Sequence, residues 1–212
     1  MAGARKENPL GKPNMIFPPT IRRMLLFMAA SSILLSSGCA FGTRHALLSY
    51  QPLRPVSLSN GIKIHVARFE DHRPNPRLVG HVLNAYGMKT AKVISQNDVS
   101  EWIQDALIAE LRNSGYDVVE EGSEAAQLDG EILLVECDSY WTYNGTMNLS
   151  MELKRGSDVL FKKSYYTEAS EGLNWAAREK SYAAVLKSTL QQSLIKILVD
   201  VDRVLKAHPS PA

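Results

Sequence analysis

The sequence predicts an α+β fold in which two helices pack on one face of a mostly antiparallel sheet of four to five strands. All ten prolines lie outside residues 77–208, so this stretch can hold strands and helices without interruption. Within it, two segments repeat apolar residues at spacings of three and four, and the segments between them alternate apolar with polar residues. Alternation leaves one face of a sheet buried and the other in water, which favours helices on one face only.

The first predicted elements are a strand, a long loop and a second strand. After Gly61, residues 62–67 alternate apolar with polar side chains, as half-buried strands do. Residues 70–87 begin with a polar segment that contains two prolines, and they are predicted to form a loop longer than a plain connector needs. Residues 89–95 are predicted to form the next short strand.

A helix follows, for which both ends carry sequence signals. Asp98 together with Glu101 fits a variant of the N-terminal capping box, and Ser95 or Asn97 are alternative caps. Apolar residues then recur on one face of the segment. Gly115 is predicted to end the helix, because glycine readily adopts the left-handed conformation found after helix ends.

Two strands and a tight turn are predicted next. Residues 116–119 are a short strand, and residues 128–141 form a long one. The apolar run from Ile132 to Val135 indicates a central strand that is covered on part of both faces. Asn144-Gly145 is a strong signal for a hairpin turn.

The rest of the chain is predicted to complete the meander and to add the second helix. Residues 146–153 and 159–165 continue the alternation, which gives one buried and one exposed face. The last helix is expected to begin at Ser170 or Asn174 and to run to about Leu205. Its apolar stripe consists of Tyr182, Leu186, Leu190, Leu194, Ile197, Leu198 and Val201.

Residues 1–38 are predicted to be a lipoprotein signal peptide. Two arginines precede an apolar run from Met24 to Leu35, which suits a signal sequence and is shorter than the roughly 20 residues that span a bilayer. The following Leu35-Ser36-Ser37-Gly38-Cys39 resembles the lipobox of bacterial lipoproteins, in which the cysteine is acylated and becomes the mature N-terminus. Ser36 departs from the usual leucine at its position. The alternatives are an ordinary cleaved signal, or an uncleaved anchor with Cys39 incidental.

The predicted domain organisation follows from this start. Residues 39–60 are expected to be the lipidated cysteine and a flexible tether, because they include prolines and small polar residues without a clear period. Residues 61–206 are predicted to form a single α+β periplasmic domain. Residues 207–212 are expected to be a disordered tail.

Charge and cysteine content limit the partners of the mature chain. The sequence holds 24 basic and 22 acidic residues, and five of the basic residues but one acidic residue precede Cys39. Removal of the signal would leave 19 basic and 21 acidic residues, so no basic surface for nucleic acid is expected. Cys137 would have no disulfide partner, and its apolar surroundings predict a small buried side chain.

Motifs for catalysis or cofactor binding are not found. The sequence lacks the spacings typical of nucleotide loops, zinc peptidases and serine hydrolases, so neither an enzyme nor a cofactor is predicted. His72 and His81 flank the predicted loop and could meet with Asp71 as metal ligands. Their spacing matches no standard zinc pattern, and no metal site is predicted.

Five residues are candidates for partner binding: Asp71, Arg73, Tyr140, Trp141 and Tyr143. Asp71 and Arg73 form either an exposed polar clamp on a partner or a structural pair that holds the turn against the sheet. The three aromatic residues surround the predicted Asn-Gly turn. They form either cross-strand pairs or a contact surface, since tyrosine and tryptophan often anchor interfaces.

Several of these segments resemble the YajG-like family of bacterial lipoproteins. The resemblance covers about Gly61 to Leu205, where the meander and closing helix agree in order and spacing. The resemblance implies a non-catalytic lipoprotein of the cell envelope with the same order of helices and strands. The residues that carry it are Cys39 with its tether, Val66, Asp71-His72-Arg73, Gly80, Asp98 to Leu107, Leu111 and Gly115-Tyr116.

We therefore expect a lipid-anchored binding or scaffold module on the periplasmic face of the outer membrane. Ala40 after Cys39 is not the aspartate that typically retains lipoproteins at the inner membrane. The expected partners are the membrane itself and envelope proteins or peptidoglycan, and the oligomeric state is left open. The alternatives are an auxiliary subunit of an envelope transport system and a hydrolase with a dispersed site.

Overall fold

The computed structural model of the protein describes residues 42–53, 61–120, 125–172 and 178–209. The predicted signal peptide and Cys39 lie outside the described residues. In chain order, the described elements are β1 (Arg44–Ala46), β2 (Lys63–Val66), β3 (Glu70–Asp71), β4 (Leu78–Leu83), β5 (Lys89–Ser95), α1 (Val99–Asn113), β6 (Asp117–Val119), β7 (Ala126–Ser139), β8 (Thr142–Arg155), β9 (Asp158–Gly172) and α2 (Arg178–Ala207).

Strand β7 is the centre of a mixed sheet. One of its edges pairs in parallel with β2, β3 and β4 in turn, and its other edge pairs antiparallel with β8. Beyond them, β8 pairs with β9, β4 with β5, β5 with β1, and β2 with β6. The described residues form one nine-stranded sheet, so the α+β class is confirmed, but the smaller, mostly antiparallel sheet is wrong. Parallel pairing joins segments that are not neighbours in sequence, which local alternation does not reveal.

The apolar run in β7 has a different cause from the one predicted. The strand is central, but its register with β8 shifts between Ile132 and Leu134. Leu133 is the extra residue of this bulge, and it is 40% exposed. The run therefore reflects a bulge rather than burial on both faces.

Residues 70–87 are not one loop. Strands β3 and β4 lie within this range, and a turn at residues 84–88 joins β4 to β5. Gly80 lets β4 approach β7 closely, because its φ is +154° and a Cβ there would lie 1.8 Å from the carbonyl oxygen of Cys137. The prediction of one long loop is wrong, since residues 70–71 and 78–83 of the range are strands of the sheet.

The hairpin turn between β7 and β8 lies earlier than predicted. Asn144 and Gly145 belong to β8, where they pair with both β7 and β9. A Cβ on Gly145 would lie 2.6 Å from Thr189 Oγ1 and 2.7 Å from Val185 Cγ1, both on α2. This glycine therefore allows close packing of the helix on the sheet and is not a turn residue.

The predicted flexible tether, residues 39–60, is wrong for part of its length. Strand β1 lies within it and pairs in parallel with β5, with Arg44 opposite Val93. Residues 47–53 follow β1, and among them Leu48 is buried in the hydrophobic core of the domain. The folded domain therefore begins before residue 61.

Helix α1 has the ends that the sequence predicts. The Asp98 carboxylate accepts hydrogen bonds from the amides of Ser100 at 2.8 Å and Glu101 at 3.1 Å, so Asp98 is the cap. Gly115 follows the helix with a φ of +89°. The buried stripe of α1 joins the inner face of the sheet and the stripe of α2 in one hydrophobic core.

Helix α2 is described from Arg178 to Ala207, and it contacts β8 and β9. A start at Ser170 is wrong because that residue pairs within β9, and Asn174 lies outside the described residues. The helix extends one residue into the predicted tail. The strand faces turned away from α2 carry ion pairs in solvent, such as that of Lys162 with Glu152.

Candidate functional site

The N-terminal strap, residues 44–53, is held against α1 by side chains of the helix and of its start. Asn97 binds the backbone of Leu48 twice: its Nδ2 donates to the carbonyl at 3.1 Å, and its Oδ1 accepts from the amide at 3.0 Å. Near the other end of the strap, Asn113 Nδ2 donates to the carbonyl of Leu53 at 2.8 Å. These hydrogen bonds fix both the middle and the end of the strap.

Glu110 of α1 is a buried acid whose partners lie in the strap. The residue is 2% exposed, and its Oε1 accepts hydrogen bonds from the Tyr50 hydroxyl at 2.5 Å and the Leu53 amide at 2.8 Å. Burial, together with the hydrogen bond to Glu110, raises the pKa of Tyr50. Detachment of the strap would remove both partners from a buried carboxylate, which is unfavourable. The strap is therefore part of the fold.

Two turns lie side by side at one end of the sheet. The turn at residues 84–88 joins β4 to β5, and the turn at Tyr140 and Trp141 joins β7 to β8. Because β4 and β7 are parallel neighbours, both strands end on this side. The Tyr140 hydroxyl donates to the carbonyl oxygen of Ala85 at 2.7 Å and so connects the two turns.

We call Tyr86, Met88, Tyr140 and Trp141 the aromatic end. Their exposed fractions are 87%, 59%, 38% and 65%, respectively. The rings of Tyr140 and Trp141 meet edge to face with centroids 5.3 Å apart. Asn84 Oδ1 accepts hydrogen bonds from the amides of Tyr86 and Met88, which fixes the other turn. An exposed group of large apolar side chains on two braced turns is typical of a contact surface.

Asp71 and Arg73, by contrast, form a buried ion pair. The Arg73 Nε and Nη2 atoms donate to the two carboxylate oxygens of Asp71 at 2.9 and 2.6 Å. Arg73 Nη1 also donates to the carbonyl oxygens of Leu78 at 3.0 Å and Val135 at 3.4 Å. The side chains are 6% and 11% exposed for Arg73 and Asp71, so an exposed clamp on a partner is wrong. The pair instead holds the chain between β3 and β4 against β7.

Tyr143 is also inside the domain. It is 2% exposed, and its ring meets that of Tyr182 on α2 edge to face with centroids 4.9 Å apart. The prediction that Tyr143 contributes to an exposed surface is therefore wrong. Tyr140 and Trp141 do reach solvent, and partner binding by these two residues stays a prediction.

A histidine and two carboxylates form a cluster that the sequence analysis did not find. His81 Nδ1 lies 3.1 Å from Glu136 Oε1 and 3.3 Å from Asp138 Oδ1. Lys89 Nζ lies 3.2 Å from the same Glu136 oxygen. Partial burial, followed by the charge of Glu136, raises the pKa of Asp138. The spacing of two along β7 places both acids on one face, but the position of His81 depends on the parallel pairing of β4 with β7.

This cluster could hold a divalent cation, because the ligand atoms of His81, Glu136 and Asp138 all lie within 4.8 Å of one another. Its acids already have basic partners, since His81 faces both carboxylates and Lys89 pairs with one of them. Among the described residues, His72, His81 and Asp71 do not form such a group. His72 lies instead 3.6 Å from Glu70.

Cys137 lies in β7 between Glu136 and Asp138, and its side chain is fully buried. Burial raises the pKa of its thiol, so the reactive thiolate is disfavoured. The predicted role as a small buried side chain is confirmed.

The central strand and both helices lie largely within a region that matches a known protein family. Residues 56–202 match the profile of a family described as uncharacterized lipoprotein. The chain belongs to this lipoprotein family. The resemblance to bacterial lipoproteins is thereby confirmed, and association with the cell envelope follows from it. A search of curated proteins gave no match to this lipoprotein.

Solved structures share the fold at low sequence identity. A protein of the DUF330 family from Xanthomonas campestris is 13% identical with a TM-score of 0.60, and the match covers 77% of this lipoprotein and 97% of that chain. An uncharacterized protein is 11% identical with a TM-score of 0.52, covering 75% and 99%. A hypothetical protein from Chlamydia trachomatis is 8% identical with a TM-score of 0.47, covering 71% and 100%. The first two matches show that the fold is shared.

In the parts of the chain that the structure describes, no helix is both long and apolar enough to cross a membrane.

Proposed function

We propose that this lipoprotein is anchored through an acylated Cys39 to the periplasmic face of the outer membrane, where it acts as a non-catalytic binding or scaffold module. Membership in a lipoprotein family and the lipobox-like Leu35-Ser36-Ser37-Gly38-Cys39 support the anchor. Ala40 supports the outer membrane, because lipoproteins of the inner membrane typically carry aspartate there. The exposed aromatic end supports a binding role.

The observation that carries the proposal is the docked strap. Cys39 lies five positions before Arg44, where β1 begins. Five residues reach at most about 17 Å, whereas the flexible tether predicted from sequence would reach roughly 70 Å. A domain on so short a connection stays next to the membrane. Its partners would therefore be the membrane surface or envelope components close to it.

The experiment that tests the anchor compares Cys39→Ala with Cys137→Ala in cells labelled with radioactive palmitate. Cys39→Ala should lose the label, keep its signal segment and leave the outer-membrane fraction. Cys137→Ala is the matched control, because it removes the other cysteine without touching the lipobox. It should keep the label and the outer-membrane position. Label on the Cys39→Ala protein would show that this anchor is wrong, and label with inner-membrane fractionation would contradict only the location.

A further inference from the structure

The aromatic end and the start of the described chain lie at the same end of the sheet. Strand β1 is parallel to β5, and β5 begins directly after the turn that holds Tyr86 and Met88. Arg44 is opposite Val93, so β1 and β5 run in the same direction and the N-terminal end of β1 faces the side of the sheet on which that turn lies. The described chain therefore begins on the same side of the sheet as the aromatic end.

The distances involved are short. Gly42 is the first described residue, and Cys39 lies three positions before it, which spans at most about 10 Å. Across the sheet, the strand order from β1 through β5 and β4 to β7 contains three strand spacings. At roughly 4.8 Å each, the turn that follows β7 lies about 14 Å to the side of β1. A flat surface that holds Cys39 can therefore also touch both turns.

The exposed side chains at this end suit the boundary between lipid and water. Tyrosine and tryptophan are enriched at that boundary, because they combine an apolar ring with a polar atom. Tyr86 and Trp141 are the most exposed members, and Met88 adds a flexible apolar side chain to the same end. The turn at the opposite end of the sheet differs, since residues 155–158 are Arg-Gly-Ser-Asp.

We propose that the aromatic end is a membrane contact: Tyr86, Met88, Tyr140 and Trp141 insert among the headgroups of the bilayer that holds Cys39. This contact rests on the proposed lipid anchor and adds to it an orientation of the domain. In this orientation the strands run away from the membrane surface, and the two linked turns face the bilayer. The turn at residues 155–158 and the C-terminal end of α2 point away from the bilayer.

The test uses the mature, lipidated protein in vesicles of phosphatidylcholine with brominated acyl chains, which quench nearby tryptophan fluorescence. All variants carry Trp175→Phe, so that Trp141 and the buried Trp102 are the remaining tryptophans. We expect strong quenching relative to unbrominated vesicles, and Trp141→Phe should remove most of it. Thermal unfolding followed by circular dichroism checks that each variant is folded.

A matched pair of variants locates the contact. In the Trp141→Phe protein, Met88→Trp should restore the quenching, whereas Val159→Trp should not. Met88 and Val159 are similarly exposed, at 59% and 55%, but they lie at opposite ends of the sheet. Equal quenching from both positions would overturn the orientation.

Flotation of the vesicles separates the two proposals. A protein that floats with the vesicles but shows no quenching at Trp141 is anchored with its aromatic end turned away, which overturns the membrane contact alone. That outcome would favour an envelope protein, rather than the membrane, as the partner of the aromatic end. If the mature protein isolated from cells carries no lipid and does not float with the vesicles, both the anchor and the contact that rests on it are overturned.

Discussion

Replacement of Arg73 by methionine should destabilise the domain strongly, contrary to what an exposed clamp would predict. The substitution keeps the length and most of the apolar volume of the side chain, but it removes both hydrogen bonds to Asp71 and those to the carbonyl oxygens of Leu78 and Val135. The Asp71 side chain, which is 11% exposed, then keeps only the hydrogen bond that its carboxylate accepts from the amide of residue 73 at 3.1 Å. Removal of one partner from a buried ion pair costs about 3–5 kcal/mol.

The assay is urea unfolding of the unlipidated domain, followed by circular dichroism. A loss of about 4 kcal/mol is a large part of the roughly 5–15 kcal/mol that stabilises a typical domain, so the midpoint should move clearly. Arg77→Met is the matched control, because Arg77 is exposed and makes a single long hydrogen bond of 3.4 Å to the carbonyl of Ser95. That variant should change stability by less than about 1 kcal/mol.

A double-mutant cycle decides whether the ion pair is the cause. Asp71→Asn combined with Arg73→Met should cost clearly less than the two single changes added together, because the second change no longer leaves a buried charge alone. If Arg73→Met unfolds within about 1 kcal/mol of the original protein, the guanidinium is dispensable for stability. The assignment of this pair to the fold would then be wrong, and a role at a surface would regain support.

Three further predictions concern packing, the strap and pH. Gly145→Ala should lower stability by about 1–3 kcal/mol in the same assay, because its Cβ would clash with α2, whereas Gly172→Ala has open space and should change little. Glu110→Ala should leave the strap without its buried acceptor and speed its cleavage in limited proteolysis, and an unchanged cleavage rate would contradict the docked strap. The hydrogen bond from Lys163 lowers the pKa of Asp200, so ionised Asp200 stabilises the fold at neutral pH and this contribution is lost as the pH falls below about 4. Asp200→Asn should therefore lower stability at neutral pH and flatten its decline in acid, and an unchanged acid profile would show that the pair does not matter.

The parts of the fold that the sequence predicts are those decided by neighbouring residues. Asp98 caps α1 through amides two and three positions later, and Gly115 follows the helix in the conformation that glycine favours. Strand β5 spans the residues predicted for it, from Lys89 to Ser95. In each case the physical signal lies within a few positions of the residues that respond to it.

The errors arise where one residue type serves two purposes. Gly145 satisfies the rule for a hairpin turn, but its missing side chain makes room for α2, which comes about 40 positions later in the chain. Pro74 and Pro76 indicate a loop, yet Gly80 close behind them allows β4 to pack against β7. Contacts between distant segments decide both cases: the packing of α2 on Gly145 in the first, and the parallel pairing of β4 with β7 in the second.

The same distant pairing decides what the candidate site can be. Local reasoning placed Tyr143 beside Trp141 on one surface, but alternation along β8 turns Tyr143 into the core, whereas Trp141 lies in the turn before the strand begins. Sequence also made the N-terminal segment a free tether, under which the aromatic end could face in any direction. Pairing of β1 with β5 instead ties the N-terminal end of the described chain to one end of the sheet. With the proposed anchor at Cys39 and so short a connection, the domain has few orientations left. The orientation that buries exposed tyrosine and tryptophan side chains at the lipid boundary is favoured over those that present the Arg-Gly-Ser-Asp turn.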